Sequence, residues 1–132
     1  MNIRDEMQDL NDKWVRQFGE GDIEACVEMY TENGAIYSPY GPAAVGWDAI
    51  RDTFREWHEA GEQNKQVKVL EASSDGAIAY FTATYSGDYP QDDGTLVNES
   101  GVVLTICSRA PNGSWRMHIS GLNSDTPPLA ES

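Results

Sequence analysis

The spacing of apolar residues changes from a helical repeat to a strand repeat halfway along the chain, and this change limits the fold more than any other feature. Before Gly61, apolar side chains recur every three or four positions, whereas from Gln66 onward they alternate with polar ones. Helices followed by a run of neighbouring strands are typical of an α+β domain with an antiparallel sheet. With 132 residues, the chain can form one such domain with its own core.

The first half of the sequence predicts three helices. Apolar side chains spaced by four, three, four and four residues form one stripe of the first helix, which Gly19 ends. Asp22 suits the N-cap of a short second helix, and Asn33-Gly34 prevents that helix from continuing. A third helix is predicted over residues 46–60. The stripe of the first helix consists of Ile3, Met7, Leu10, Trp14 and Phe18.

The second half predicts a meander of strands that begins after one earlier strand. A short strand is expected at 35–38, before Pro39, and longer strands at 67–72, 77–87, 95–109 and 114–121. Gly-containing turns separate the long strands, and Gly87 and Gly101 within them indicate bends that let the sheet curl around the helices. The chain is therefore expected to form a single domain over residues 1–124, followed by a flexible C-terminal tail at 125–132.

The charge of the chain disfavours several classes of partner. The formal net charge is −13, from 22 acidic and nine basic residues, and no cluster of Lys and Arg is present to bind nucleic acid or an anionic membrane. The sequence has no apolar run of the roughly 18 residues that a membrane span needs, and no secretory signal pattern, so a cytoplasmic location is expected. Cys26 and Cys107 are expected to be buried free thiols.

Motifs for metal or nucleotide cofactors are missing from the sequence. Its two histidines, His58 and His118, are far apart, and no HxxxH, HxxE or DxDxDG spacing occurs. The sequence also contains no GxGxxG, GxxxxGK[ST] or GxSxG motif. Neither a metal, nor another cofactor, nor a serine nucleophile is therefore expected.

The order of elements and several local stretches resemble a known superfamily. Over residues 5–124 the chain is similar to the NTF2-like, or cystatin-like, α+β cone, and within it to SnoaL-like and ketosteroid-isomerase-like small proteins. This resemblance implies three N-terminal helices packed on a curved antiparallel β-sheet that encloses a mostly apolar pocket. It implies no single reaction, because the superfamily includes isomerases, dehydratases, cyclases, epoxide hydrolases and non-catalytic modules. The stretches that carry it are Trp14-Val15 through Gly21-Asp22, Met29 through Tyr37, Gly46-Trp47-Asp48-Ala49-Ile50, and Gly113-Ser114-Trp115-Arg116-Met117.

The residues that act in ketosteroid isomerases are replaced in this chain. In those enzymes a tyrosine near the end of the first helix donates a hydrogen bond to the developing enolate, and an aspartate before a Pro-x-Gly moves the proton. Trp14 and Ser38 stand at the corresponding positions here. An indole N–H can still donate a hydrogen bond, but a serine hydroxyl without assistance is no general base near neutral pH. Steroid isomerisation by the usual residues is therefore not expected.

Four other side chains are candidates for proton transfer. His118 can titrate near neutral pH, and strict alternation in the last strand places it on the same face as Ser120 and opposite Met117. Glu99 is a carboxylate in the middle of a strand, and Tyr37 and Tyr40 flank the loop after the first strand. For each of them the sequence also allows a position at the surface without a catalytic role.

The walls of the predicted pocket come from the first helix, the first strand and its loop, the third helix and one face of the sheet. Aromatic and small polar side chains on these elements are the predicted ligand-binding residues, whereas His58 is expected in the core. The ligand-binding set consists of Trp14, Phe18, Ser38, Trp47, Phe54, Trp57 and Tyr80.

Two functions fit this pattern. The first is a SnoaL-like pocket protein that binds a small apolar molecule, cyclic or aromatic, and transfers a proton on it without a cofactor, as an isomerase, lyase or cyclase. The alternative is a non-catalytic dimerisation or ligand-binding module. Val97 and Val103 lie on one face of the strand at 95–109, and Leu104 and Ile106 lie on the other. A sheet covered on both sides, and hence a homodimer through the sheet face, is compatible with either function.

Overall fold

A computed structural model describes residues 2–125 and confirms an α+β fold with three helices before the main run of strands. The predicted tail, Asp125 apart, lies outside the described residues. The structure adds a two-residue strand before the third helix and begins two other strands earlier than the sequence pattern predicted. The elements are α1 (Ile3–Gly19), α2 (Ile23–Glu28), β1 (Tyr30–Tyr37), β2 (Ala44–Val45), α3 (Trp47–Glu59), β3 (Gln63–Asp75), β4 (Ile78–Pro90), β5 (Leu96–Arg109) and β6 (Trp115–Ser124).

The six strands form one curved, unclosed sheet in the order β2-β1-β6-β5-β4-β3. Strands β3 to β6 are an antiparallel meander, as predicted. The sheet is thus mostly antiparallel, as predicted, and the one exception among the described strands is β1, which pairs in parallel with β6. The apolar alternation within a strand does not reveal this pairing, because β1 and β6 lie far apart in the sequence.

Helices α1 and α2 begin at residues whose side chains cap them, and the helices bury their apolar stripes against the concave side of the sheet. The Asn2 side chain accepts a hydrogen bond from the Asp5 amide at 2.9 Å, and Asp22 does the same for Ala25 at 3.2 Å. On α1 the buried stripe includes Trp14 and Phe18, both at most 5% exposed. The apolar core therefore lies between the helices and one face of the sheet.

Helix α1 also covers the open edge of the sheet at β3. The Gln8 side chain donates to the Val67 carbonyl at 2.8 Å and accepts from the Val69 amide at 2.7 Å. Arg4 donates to the Val69 carbonyl at 3.2 Å. An edge strand with unpaired amides can pair with another chain, and these side chains occupy part of that edge.

A bulge in β6 changes which of its side chains face inward. Ile106 pairs with Ile119 and Cys107 pairs with Met117, so His118 is the extra residue. Met117 and Ser120 are consequently both buried, at 3% and 2% exposure. The prediction that His118 and Ser120 share a face opposite Met117 was wrong, because it assumed an alternation without a bulge.

The structure also decides the positions of the cysteines and of His58. Cys26 and Cys107 are free and buried, as predicted, and burial raises the pKa of each thiol to about 12. His58 is exposed at the end of α3 and packs edge-on against Phe18, with 5.6 Å between the ring centroids, so its predicted core position was wrong. None of the helices within residues 2–125 is long and apolar enough to cross a membrane.

Candidate functional site

An apolar cavity of about 60 Å³ lies between α1, α3 and the concave face of the sheet. It is large enough for a few water-sized groups, since one water needs about 10–15 Å³ on the same measure. Three aromatic rings from the two helices face aliphatic side chains of the strands across this space. Its apolar wall consists chiefly of Trp14, Phe54, Trp57, Val67, Val103 and Met117.

One wall of the cavity is a chain of buried hydroxyl groups, which we call the floor: Tyr30, Thr105 and Ser120. The Tyr30 and Ser120 hydroxyls are 2.8 Å apart, and those of Ser120 and Thr105 are 2.9 Å apart. Tyr30 comes from β1, Thr105 from β5 and Ser120 from β6, and the bulge at His118 turns Ser120 toward the other two. Burial raises the pKa of Tyr30 well above its usual range, so the floor is polar but uncharged.

A smaller cavity adjoins the first and carries charged groups. The two cavities share Trp57, Lys65, Tyr85 and Leu122. We call the polar side chains around the smaller one the mouth, which consists of Tyr40, Glu62, Lys65, Tyr85, Tyr89 and Glu99. The cavity as a whole therefore has a neutral floor and a charged mouth.

A buried ion pair occupies the boundary between the two cavities. The Lys65 Nζ lies 2.9 Å from the Glu62 Oε2, and the side chains are only 12% and 3% exposed. The other carboxylate oxygen, Glu62 Oε1, is buried without a hydrogen-bond partner among the described residues. Gly87 makes room for this carboxylate, because a Cβ there would clash with Glu62 Oε2.

The backbone that follows α3 explains why these two charges point inward. Gly61 ends the helix with φ +84°, and Asn64 adopts φ +57°, a left-handed conformation that few non-glycine residues take. The side-chain amide of Asn64 donates to the Asp88 carboxylate at 2.9 Å, and this bond holds the irregular start of β3 in place. The strand register shifts between Gln63 and Gln66, and Lys65 lies within that shift.

Four aromatic rings surround the Lys65 ammonium, and we call them, together with the Glu62 carboxylate, the ammonium cage. The distances from Nζ to the ring centroids are 5.5 Å for Trp14, 5.9 Å for Phe18, 5.5 Å for Trp57 and 5.9 Å for Tyr85. All four distances are within the range in which a ring face attracts a cation.

A tyrosine pair completes the mouth on the other side of the ion pair. The hydroxyls of Tyr40 and Tyr85 are 2.6 Å apart, and Tyr85 also donates to the Asn123 carbonyl at 3.4 Å. Burial, and then the bond to Tyr40 and the charges of Glu99 and Asp125, raise the pKa of Tyr85. Burial, then the charge of Glu62 and a hydrogen bond to the Glu62 side chain, raise the pKa of Tyr89. Both phenols are therefore neutral hydrogen-bond donors near pH 7 in a negative field.

The structure brings together five of the residues that the sequence suggested for the site. Trp14, Phe54 and Trp57 line the main cavity, and Tyr40 and Glu99 lie at the mouth. Phe18 stacks on Trp14, with ring centroids 4.9 Å apart, and contributes a ring to the ammonium cage.

The other suggested residues lie away from both cavities. The His118 Nδ1 is 2.7 Å from the Thr31 hydroxyl, and Tyr37 is 48% exposed. Tyr80 is 39% exposed on the convex face, and the Trp47 indole donates to the Tyr30 carbonyl at 2.9 Å. Ser38 lines a third cleft under the β1–β2 loop, which shares Tyr40 and Trp57 with the smaller cavity, and it accepts a hydrogen bond from the Tyr40 backbone amide at 3.2 Å.

Sequence reasoning missed the floor and the ion pair. Thr105 had a usable signal, because it lies two residues from both Val103 and Cys107 and therefore shares the inner face of β5 with them. Glu62 and Lys65 lie in a polar stretch after α3 that is typical of a loop, and only the left-handed Asn64 shows why Lys65 is buried.

Comparisons with known proteins agree with this fold. The model of the SnoaL-like domain family matches residues 12–116. A ketosteroid isomerase-like protein from Erwinia carotovora atroseptica has a TM-score of 0.81 at 19% identity and covers 96% of this chain and 100% of its own. An NTF2-like protein with a cystatin-like fold from Novosphingobium aromaticivorans has a TM-score of 0.78 at 20% identity, over 96% and 84% of the two chains.

A third similar structure was solved with a ligand. It is a protein from Catenulispora acidiphila in complex with S-DNPA, with a TM-score of 0.72 at 19% identity over 91% of each chain. No curated protein matches this sequence. At these identities the solved structures establish the fold alone.

Proposed function

The chain belongs to the SnoaL-like domain family, and from that premise we propose that it binds a small, largely apolar cyclic molecule in its cavity and transfers a proton on it without a cofactor. The observation that carries this proposal is the contrast within one cavity. Its walls are aromatic and aliphatic, while titratable side chains converge at its mouth. Apolar pockets with a few convergent polar groups are the usual form of small-molecule sites.

The proposed division of roles follows from the positions of the groups. The aromatic walls hold the apolar body of the ligand. Tyr40 donates to the Tyr85 hydroxyl, and Tyr85 turns its own proton from the Asn123 carbonyl, 3.4 Å away, to the carbonyl oxygen of the ligand. Glu99 lines the mouth beside the Tyr40–Tyr85 pair. It takes a proton from the carbon next to the ligand carbonyl and returns it to another atom of the same ligand. Tyr37 and His118 have no part in the proposal, since they lie away from the cavities. The structure of the Catenulispora acidiphila protein with S-DNPA supports ligand binding by this fold.

Deuterium exchange tests the proposed chemistry without knowledge of the product. We expect the protein to catalyse incorporation of deuterium from D₂O next to the carbonyl of small cyclic ketones or lactones, followed by ¹H NMR. Glu99→Gln should slow this exchange by about 10²- to 10⁴-fold, the usual contribution of a general base. Glu71→Gln, an exposed glutamate of β3, is the matched control. Equal exchange rates in the two variants would refute the role of Glu99.

Binding without turnover is the alternative function, and thermal denaturation separates it from the first. A ligand at 100 times its Kd should stabilise the fold by about 2.7 kcal/mol. Stabilisation by a cyclic ketone without deuterium exchange would favour a ligand-binding module. Absence of both effects across cyclic ketones, lactones and aromatic acids would contradict both forms of the proposal.

We also propose that the chain forms a homodimer through the convex face of the sheet. Val102, Leu104 and Ile106 on β5 are 38–50% exposed, and Tyr80 pairs with Ile106 on the neighbouring strand. A contiguous apolar surface of this kind is common at homodimer interfaces. Light scattering should give twice the chain mass for the native protein and the monomer mass for Leu104→Lys. Val45→Lys changes an exposed apolar residue of β2 and should leave the mass unchanged.

A further inference from the structure

The ammonium of Lys65 occupies a site with the composition of a receptor for organic cations. Four aromatic rings lie within 6 Å of its Nζ, and the Glu62 carboxylate lies 2.9 Å away. Aromatic cages closed by a carboxylate are suited to ligand ammonium groups, because ring faces and carboxylates both attract positive charge. In this protein the cage adjoins the apolar cavity of about 60 Å³, so an ammonium group of a ligand held there lies within reach of the same rings.

The electrostatics of the mouth favour a cation over an anion. Two carboxylates, Glu62 and Glu99, and a single ammonium, Lys65, line the smaller cavity, within a chain of net charge −13. The charges of Glu99 and Asp125 also raise the pKa of Tyr85, and those of Glu62 and Glu99 raise the pKa of Tyr89. Both shifts are the ones that a negative field produces. An anionic ligand would enter against this field, whereas a cationic ligand would be drawn in.

The carboxylate in the cage retains capacity for another donor. Glu62 Oε2 accepts from Lys65, but Oε1 is buried without a hydrogen-bond partner among residues 2–125. A buried acceptor without a partner is unfavourable, and a ligand N–H would satisfy it. The Glu62 side chain that carries this oxygen is only 3% exposed, so water has little access to it.

Lys65 can leave the cage without unfolding the domain. It lies at the irregular start of β3, the edge strand of the sheet, between the exposed residues Asn64 and Gln66. A lysine has a flexible four-carbon stem that can carry its ammonium into water while the backbone stays in place. The resident cation is therefore replaceable.

We propose that the ammonium cage binds the protonated or quaternary amine of a small organic cation, which displaces the Lys65 ammonium and places its apolar body in the main cavity. This inference rests on the proposed function, because it uses the same cavity and specifies the class of ligand. It makes Trp14, Trp57 and Glu62 the recognition groups for the ligand charge. Lys65 holds the cage in its bound arrangement when no ligand is present.

Three probes of similar size and different charge test the proposal: benzylamine, benzyl alcohol and benzoate. Calorimetry on the wild-type protein at neutral pH should give a Kd for benzylamine at least threefold below that for benzyl alcohol, with benzoate weakest. In Lys65→Ala the cage has no resident cation, so benzylamine should bind at least tenfold more tightly than to the wild type. The affinity for benzyl alcohol should change by less than threefold. Lys68→Ala, on the exposed side of the same strand, should leave all three affinities unchanged.

A second variant keeps the test decisive if Lys65→Ala does not fold. Glu62→Gln retains a hydrogen-bond partner for Lys65 but removes the charge, and it should weaken benzylamine binding at least fivefold, whereas Glu71→Gln should not. Tightest binding of benzoate, lost in Lys65→Ala, would overturn the proposal and make Lys65 an anion anchor. Equal binding of benzylamine and benzyl alcohol in every folded variant would overturn it while leaving the cavity a ligand site. If none of the probes binds to any variant, the proposed cavity function fails as well.

Discussion

The floor and the mouth of the cavity are both polar, but they differ in charge and in how the chain forms them. The floor consists of three neutral hydroxyls that satisfy one another within an otherwise apolar core. The mouth contains an ion pair whose members depend on each other and on the aromatic rings around them. The floor can therefore be altered one group at a time, whereas the mouth responds as a unit.

The largest expected effect is the loss of one member of the ion pair. Lys65→Met leaves the Glu62 carboxylate buried without a counter-charge and should lower the free energy of unfolding by about 3–5 kcal/mol. The double variant Glu62→Gln/Lys65→Met removes both charges and should recover most of this loss. Urea denaturation measures both values. A single variant as stable as the wild type would show that the pair is open to water, and would remove the contrast between floor and mouth.

Alkaline pH should act on both regions, and more strongly at the mouth. The pKa values of Tyr30, Tyr85 and Tyr89 are raised in the folded state, so the folded protein keeps these phenols neutral. Their stabilising effect is complete below pH 10, near the pKa of tyrosine in an unfolded chain, and is lost as the pH rises through the folded values. Each such group should lower the stability by up to about 1.4 kcal/mol per pH unit above pH 10. Urea midpoints from pH 8 to 11 measure the slope.

Replacement variants assign that slope to the two regions. Tyr85→Phe and Tyr30→Phe should each reduce it, and the double variant should reduce it further. An unchanged slope in both single variants would show that other groups control the alkaline transition.

Loss of one hydroxyl from the floor should have a smaller effect. Tyr30→Phe removes the bond to Ser120, but Ser120 keeps its bond to Thr105, so no buried group loses its last partner. The free energy of unfolding should fall by about 1 kcal/mol, the usual value for one hydrogen bond. Thermal denaturation measures this change. A loss as large as that of Lys65→Met would mean that the floor also behaves as a cooperative unit.

The exposed charge network between α2 and α3 should contribute least. Arg51 bonds to Asp48 at 2.8 Å and, with its other nitrogens, to Glu24, but both carboxylates are at least half exposed. Arg51→Met should therefore change the stability by about 1 kcal/mol or less, and high salt should reduce the difference further. A loss of several kcal/mol that persists at 1 M salt would contradict the distinction between buried and exposed pairs.

The sequence predicted the parts of the site that regular periodicity determines. Trp14, Phe54 and Trp57 were assigned to the pocket because the apolar stripe of a helix faces the sheet, and they line the cavity. Gly87 and Gly101 within the strands indicated a curved sheet, and the resemblance to the NTF2-like superfamily implied the pocket.

The remaining parts depend on departures from periodicity. Ser120 reaches the floor because His118 is an extra residue in β6, and Lys65 reaches the mouth because Asn64 is left-handed. Both features arise in the pairing of one strand with its neighbour in the sheet, which the apolar pattern of a single strand does not contain. The parallel pairing of β1 with β6 is also invisible in that pattern, because it joins the first strand of the chain to the last.

An NMR titration of the labelled protein with benzylamine tests most directly whether the mouth of the cavity is the ligand site. The indole N–H signals of Trp14 and Trp57 and the side-chain signals of Lys65 should shift together and saturate with one Kd. The signals of Tyr80 and Leu104 on the convex face should remain in place. Shifts confined to the convex face, with the two indoles and Lys65 unaffected, would contradict it.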